Sequence, residues 1–242
     1  MFYICPILPI LPVLSLYILA AVLPAVLRLR YVYLHDTVEK EPPGLLALFL
    51  LMGVVSAVVS GFLETLAQTV LNLLVSADSP LHLVLLAFLV VAMIEEGTKF
   101  FLLKRCTWNH PAFHFRFDGV VYAVFVSLGF AAFENIPYVL TYGLSVALPR
   151  ALLAVPGHMA FAVYMGIFYG RAKCCEADGD FRGMRSNLRR SCLWAIFLHG
   201  FYDTCAMAGT FWASVVFIVF IAVVFLRVYR LLKRESAADE PV

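Results

Sequence analysis

Two adjacent glutamates and a lysine interrupt an otherwise apolar stretch of the chain, at Glu95, Glu96 and Lys99. Residues three and four positions apart share one side of a helix, so Lys99 is predicted to reach both carboxylates. One lysine neutralises only one carboxylate, and the other is expected to be protonated, hydrated or bound to another group. This pattern suits a general base better than a simple ion pair at the edge of the apolar stretch.

Two later apolar stretches carry polar groups beside helix-breaking residues. Glu134 and Asn135 are followed by Pro137, which removes one backbone hydrogen bond. His158 follows directly after a Pro-Gly pair, as expected for a helix loosened at the wall of a cavity. A lone histidine in such a place can also serve as a hydrogen-bonding group between helices.

A fourth apolar stretch contains His199 and Asp203, one helical turn apart and therefore on one face. This spacing suits an imidazole oriented by a carboxylate, or two ligands of one metal ion. An earlier stretch carries Glu64, Gln68 and Asn72 at a period of four. That stripe fits equally well a seam of hydrogen bonds between helices or a wetted groove leading to the other polar groups.

The composition indicates that a membrane surrounds these groups. Of the 242 residues, 63% are apolar and 14% charged, and the mean hydropathy is +0.91. Soluble domains contain about 45–50% apolar and about 25% charged residues, so a soluble enzyme, a disordered chain and a secreted disulfide scaffold are excluded. The net charge of +2 is too small and too dispersed to predict a nucleic-acid partner. We expect an all-α, polytopic bundle of transmembrane helices.

Seven runs are long enough to cross the bilayer, since a span needs about 20 mostly apolar residues. They form a single membrane-embedded domain over residues 1–242 in this interpretation. The shortest connection, 208–210, leaves open one long broken span in place of the last two, which would give six crossings. The predicted spans are approximately 7–27, 45–75, 81–103, 118–141, 147–170, 191–208 and 211–232.

The basic residues orient these spans. All of the 18 lysines and arginines except Lys99 and Arg150 fall on one side if seven spans alternate. Cytoplasmic loops carry the excess of Lys and Arg, so the N-terminus is predicted to be outside and the C-terminus inside. Counted from the predicted outer boundaries, Glu134, His158 and His199 differ by only about 6 Å in depth at about 1.5 Å of rise per residue. Their convergence is therefore feasible.

Taken in order, these motifs resemble the PrsW family of intramembrane proteases. The resemblance lies in the EExxK pattern at 95–99, the FxxxEN pattern at 130–135, Gly157-His158 and the HxxxD pattern at 199–203. The stretch at 118–122 also resembles that family. A more distant resemblance is to the CAAX prenyl endopeptidases and their bacterial relatives, but Lys99, Glu134 and Asp203 favour the PrsW pattern.

The resemblance implies an endopeptidase in a bacterial-type cytoplasmic membrane that cleaves single-span or otherwise membrane-anchored proteins. It also implies the first cut in an anti-sigma factor as one role. The expected catalytic residues are Glu95, Glu96, Glu134, Asn135, His158, His199 and Asp203.

Two mechanisms fit these residues, since peptide hydrolysis needs an activated water, a group that polarises the carbonyl and a proton for the leaving amine. Without a metal, Glu95 or Glu96 is the base with help from His158. His199 with Asp203 and Asn135 then stabilises the oxyanion. With a metal, zinc fits best, and either glutamate is the base. The candidate ligands of one divalent ion are then Glu134, His158, His199 and Asp203.

Charge favours the metal-dependent mechanism. Glu95, Glu96, Glu134 and Asp203 outnumber Lys99, and a divalent cation would offset much of the excess. Two other classes of membrane protein also fit these residues. One is an ion- or proton-coupled transporter, which also uses acids near breaks in helices, although no inverted repeat is visible. The other is a membrane lipid or amide hydrolase.

Overall fold

The computed structural model describes residues 10–242 and is built from long helices. The helices within the described residues are α1 Ile10–His35, α2 Pro43–Leu74, α3 Pro80–Thr107, α4 Asp118–Tyr142, α5 Ala147–Ala177, α6 Phe181–Met207 and α7 Phe211–Ala237. Two of these helices are composite: α3 contains a π-helical segment at Leu86–Ala92, and α5 contains one at Arg150–Ala154.

These helices confirm the predicted helical membrane bundle. The break at 208–210 is real, since α6 ends at Met207, Gly209 adopts a φ of 63° and α7 begins at Phe211. Six helices are long and apolar enough to cross a membrane, and α6 differs because arginines occupy its first half. The predicted start of the first span, at residue 7, lies outside the described residues.

Helix α4 lies at the centre of the bundle. Nearly every residue of its first half is buried, whereas α1 and α7 expose most of their apolar side chains. Glycines allow the close packing, since a Cβ on Gly53 of α2 would lie 2.0 Å from the Val126 carbonyl oxygen of α4. Likewise, a Cβ on Gly166 of α5 would lie 2.4 Å from the Cα of Val120. Small residues permit this approach in membrane helices, where packing rather than hydrophobicity drives association.

One end of the bundle, here called the basic end, collects the loops rich in Lys and Arg. Arg171 at the end of α5 lies 3.0 Å from Glu235 of α7, and Arg116, just before α4, lies 3.7 Å from the same carboxylate. Trp108 after α3 donates a hydrogen bond to Glu176 of α5 at 2.9 Å. The basic residues of separate loops therefore share one end, as the alternating spans predicted.

Buried acids at the basic end have raised pKa values. Burial raises the pKa of Asp36 to about 6, with Glu41 and Asp239 adding to the effect and Lys40 opposing it. Burial also raises the pKa of Glu41, although a hydrogen bond donated by the Tyr122 hydroxyl at 2.6 Å opposes the rise. Asp36 and Glu41 are thus buried at this end, whereas Glu39 between them is exposed.

Candidate active site

The paired glutamates and the lysine form the buried centre of the site. They stand on one face of α3, directly after its π-helical segment. The Lys99 Nζ lies 3.0 Å from Glu95 Oε2 and 2.8 Å from Glu96 Oε1, and all three side chains are buried. The predicted reach of Lys99 to both carboxylates is therefore confirmed. The lysine ammonium also lies 3.7 Å from the centre of the Phe130 ring.

Two histidines from other helices complete this centre, and each has one nitrogen facing inward. His158 Nδ1 lies 3.3 Å from the Lys99 Nζ, and its Nε2 lies 3.0 Å from Glu134 Oε2. His199 Nδ1 lies 2.9 Å from Glu96 Oε1, and its Nε2 lies 3.3 Å from Asp203 Oδ2. An outer carboxylate therefore orients each imidazole, an arrangement common among metal-binding histidines.

Four of the predicted residues could hold a metal ion together. Glu95, Glu96, His158 and His199 each offer a ligand atom, and these atoms lie within 4.8 Å of one another. Of the predicted ligands, Glu134 and Asp203 are not members of this group, because they contact the outer nitrogens of the histidines. Carboxylate oxygen and imidazole nitrogen together are a donor set that suits zinc.

The hydrogen bonds indicate that the centre accommodates a cation in addition to Lys99. His199 lies between the carboxylates of Glu96 and Asp203, whereas a neutral imidazole has only one N–H to donate. A second positive charge, from a proton or a metal ion, is therefore needed there. Glu96 Oε2 is also buried and has no hydrogen-bond partner among the described residues. The residues present thus fit a metal ion.

Arg150, which the sequence shows only as an isolated basic residue, lies beside the site. Arg150, in the π-helical segment of α5, lies 2.9 Å from Glu134 Oε1. Its guanidinium also stacks over Tyr138, 3.9 Å from the ring centre. Its isolation on the side opposite the other basic residues was the only signal in the sequence. The net charge of this group of side chains is −2 when the histidines are neutral. The group consists of Glu95, Glu96, Glu134 and Asp203 with Lys99 and Arg150.

Asn135 lies on a different side of α4. Its Nδ2 donates to the Ala21 carbonyl at 3.2 Å, and its Oδ1 accepts from Arg150 Nε at 2.5 Å. The asparagine is buried and is not among the residues that line the cavity beside the site. Its amide therefore holds Arg150 and α1 in place, and nothing supports the oxyanion role expected for it.

A cavity of about 520 Å³ opens onto the centre. Its polar walls include Glu95, Glu134, His158, His199 and Asp203, whereas Glu96 lies behind them and is fully buried. Both π-helical segments contribute to its wall, as such segments often do at functional sites. The predicted acids and histidines thus converge on one space large enough for part of a polypeptide, whereas Asn135 lies outside it.

The cavity lies in the half of the bundle away from the basic end. Its wall includes Gly61 late in α2, Pro137 late in α4 and Met207 at the end of α6. Helix α4 continues through Pro137 without interruption, so the proline shapes this wall without ending the helix.

The polar stripe of α2, which contains Glu64, Gln68 and Asn72, contributes both to the cavity and to a contact between helices. Glu64 lines the cavity, and its buried Oε1 has no hydrogen-bond partner in the part of the chain that the structure describes. Asn72 instead lies 2.8 Å from His82 Nε2 and joins α2 to α3. One end of the stripe therefore belongs to the site and the other to a seam between helices.

A polytopic helical bundle with a buried carboxylate and histidine centre defines this chain as an intramembrane enzyme. Residues 41–229 match the sequence model of the PrsW family intramembrane metalloproteases, and the chain belongs to that family. It is therefore an intramembrane protease and a multi-pass bacterial membrane protein. Family membership favours the protease hypothesis over the transporter and lipid or amide hydrolase alternatives.

Several named proteases are similar to this chain over most of its length. Protease PrsW of Geobacillus kaustophilus is 36% identical over 199 residues, which cover 80% of each chain. Protease PrsW of Bacillus subtilis is 31% identical over 80% of this chain and 84% of its own. Protease PrsW of Clostridioides difficile is 29% identical over 86% of each chain. No solved structure matches this chain.

Proposed function

We propose that this protein cleaves membrane-anchored proteins inside the cavity formed by α2 to α6, in the half of the bilayer away from the cytoplasm. The observation that carries the proposal is the meeting of Glu95, Glu96, His158 and His199 within 4.8 Å beside that cavity. The cavity wall lies away from the basic end, and the positive-inside rule assigns the basic end to the cytoplasm.

Glu95 is the general base in this proposal. Its carboxylate lines the cavity, whereas Glu96 lies behind it with no access to a substrate. Lys99 contacts both carboxylates and holds them in place. A carboxylate in a site that excludes bulk water takes a proton from water more readily than an exposed one. Glu95 can later return that proton to the leaving amine.

Glu96, His158 and His199 would hold the metal ion, with zinc as the best match to two nitrogens and one oxygen. This set keeps both predicted histidines and replaces Glu134 and Asp203, which orient the imidazoles. When bound, such an ion polarises the scissile carbonyl and acidifies a bound water. The metal-free scheme is weaker here, because the Asn135 amide is engaged by Arg150 and α1.

The substrate class follows from the position of the site. A membrane-anchored chain enters with its backbone extended, since only unpaired peptide groups can reach the catalytic residues. The cut then falls near the outer surface of the membrane. We propose an anti-sigma factor with one span as the physiological substrate, cleaved first at this position.

The test is cleavage of a single-span reporter co-expressed with this protein. We expect Glu96→Gln and His199→Ala to abolish cleavage while both variants accumulate in the membrane. Glu39→Gln is the matched control, because among residues 10–242 this exposed carboxylate at the basic end contacts only the exposed ring of His114. Cleavage that persists in both site variants would refute the proposal.

Metal content gives a second readout that does not depend on activity. Protein purified in detergent should contain about one zinc ion per chain, and His199→Ala should contain much less. Wild-type protein that cleaves the reporter without any stoichiometric metal would restore the metal-free scheme.

A further inference from the structure

The first half of α6 carries four exposed arginines without carboxylate partners. Arg182, Arg185, Arg189 and Arg190 form no ion pair with any acid in residues 10–242. Other arginines at the same end are paired, since Arg116 and Arg171 both contact Glu235. The four guanidinium groups thus remain available to an anion from outside the chain.

These arginines border a groove that continues into an apolar one. The first part has a volume of about 470 Å³ and is lined by residues 181–193 of α6, including Arg185 and Arg189. The second part, of about 290 Å³, is lined by Arg190, Leu193, Trp194 and Phe197. Arg190 and Leu193 belong to both parts, so the two parts adjoin along one helix.

The order of these parts matches the depth profile of a membrane leaflet. The arginines lie at the basic end, and Leu193, Trp194 and Phe197 follow toward the middle of the bundle with large exposed surfaces. From Arg185 to Phe197 the helix rises about 18 Å at about 1.5 Å per residue. One leaflet contributes about 15 Å of hydrocarbon. A charged head at Arg185 would therefore place a chain along the apolar part.

We propose that this groove binds an anionic glycerophospholipid of the inner leaflet. Arg185 and Arg189 stand one helical turn apart and can both donate to one phosphate, which guanidinium groups bind in a forked geometry. One acyl chain lies against Leu193, Trp194 and Phe197. An acidic peptide would satisfy the arginines but would leave the apolar part uncovered, which favours the lipid.

The experiment is native mass spectrometry of the full chain in neutral detergent, with added dioleoyl phosphatidylglycerol or dioleoyl phosphatidylcholine. We expect bound phosphatidylglycerol, and we expect Arg185→Gln with Arg189→Gln to weaken it by about tenfold or more. The matched control is Arg227→Gln with Arg230→Gln, which removes the same charge from α7. Both arginines are exposed, and neither forms an ion pair within residues 10–242.

Four outcomes would overturn the proposal. They are equal binding of the two lipids, an equal loss in both double variants, equal binding of glycerophosphoglycerol without acyl chains, and preferential capture of an acidic peptide. A second measurement uses the wild-type fold and needs no arginine variant. Brominated phosphatidylglycerol should quench tryptophan fluorescence more than brominated phosphatidylcholine, and Trp194→Phe should remove that difference. An unchanged difference in Trp194→Phe would also refute the site.

Discussion

Two buried groups of charges lie in this bundle, and they are balanced in opposite ways. At the basic end, one carboxylate, Glu235, lies within 3.7 Å of Arg116, 3.0 Å of Arg171 and 2.6 Å of Arg234. Around the cavity, five carboxylates, including that of Glu64, face two cationic side chains, Lys99 and Arg150. The first arrangement is complete without a ligand, whereas the second calls for another cation.

The two groups also differ in how their acids are satisfied. At the basic end, Asp118 accepts backbone N–H groups of His114 at 2.9 Å and Phe115 at 2.8 Å. Beside the cavity, Glu96 Oε2 and Glu64 Oε1 are buried and have no partner within the described chain, whereas Asp36 Oδ2 is the one such acid oxygen at the basic end among the described residues. Buried polar atoms normally find partners, so orphaned ones beside a cavity indicate a site that awaits a ligand. The two unpartnered acid oxygens at the site adjoin a space that can hold a ligand.

The largest expected effect is at Glu95. Glu95→Gln removes the proposed base and leaves Glu96 to pair with Lys99, so we expect cleavage to fall by more than about 10³-fold. Thermal stability in detergent should be unchanged or higher, because one buried negative charge is removed from a group that has an excess. A reporter assay normalised to folded protein measures the first effect. Residual cleavage above about a tenth of wild type would remove Glu95 from the role of base.

The outer carboxylates should have a smaller effect than the inner ones. Asp203→Asn and Glu134→Gln keep a hydrogen-bond acceptor for each histidine but lose its charge. Partners of this kind typically contribute 10–100-fold to metal affinity or activity, and we expect losses of about that size. Titration of metal into purified protein, together with cleavage rates, measures both quantities. If either variant is as inactive as Glu95→Gln, that carboxylate acts directly on the substrate or the metal.

Substitution of Glu235 at the basic end should lower stability and leave cleavage unchanged. Glu235→Gln leaves three guanidinium groups without their shared carboxylate, and we expect a loss of about 1–3 kcal/mol in stability. Cleavage per folded molecule should remain unchanged, because this site lies at the opposite end from the cavity wall. Melting in detergent measures the loss. A large fall in specific activity without a fall in melting temperature would show that the two ends are coupled.

The sequence predicted the participating residues better than their grouping. Ionisable side chains inside apolar runs are costly unless they face the interior, and this rule alone selected Glu95, Glu96, His158 and His199. The same rule selected Glu64, which does line the cavity. Periodicity also predicted the contacts of Lys99 with both glutamates, since those depend only on the geometry of one helix.

Contacts between helices could not be predicted in this way. The spacing of His199 and Asp203 did not reveal which nitrogen faces inward, because that depends on the rotation of α6 against α3. Arg150 reaches Glu134 from the first residue of a π-helical segment, and a regular helical period does not predict where such a segment begins. Asn135 follows Glu134 directly and so points to another side of α4, which is a consequence of helical geometry.

The smallest expected effect concerns pH and Asp36 at the basic end. Burial raises the pKa of Asp36 from 3.8 to about 6, so the folded protein holds this proton more tightly than the unfolded chain does. Stability from this group is present at low pH and is lost as pH rises between about 4 and about 6. We expect Asp36→Asn to melt slightly higher than wild type above pH 6 and to show a shallower decline across that window. Glu41 and Asp239, whose pKa values burial also raises, contribute to the slope that remains. The exposed Glu39→Gln is the control, and the same slope in Asp36→Asn as in wild type would mean that Asp36 is already ionised in the folded protein.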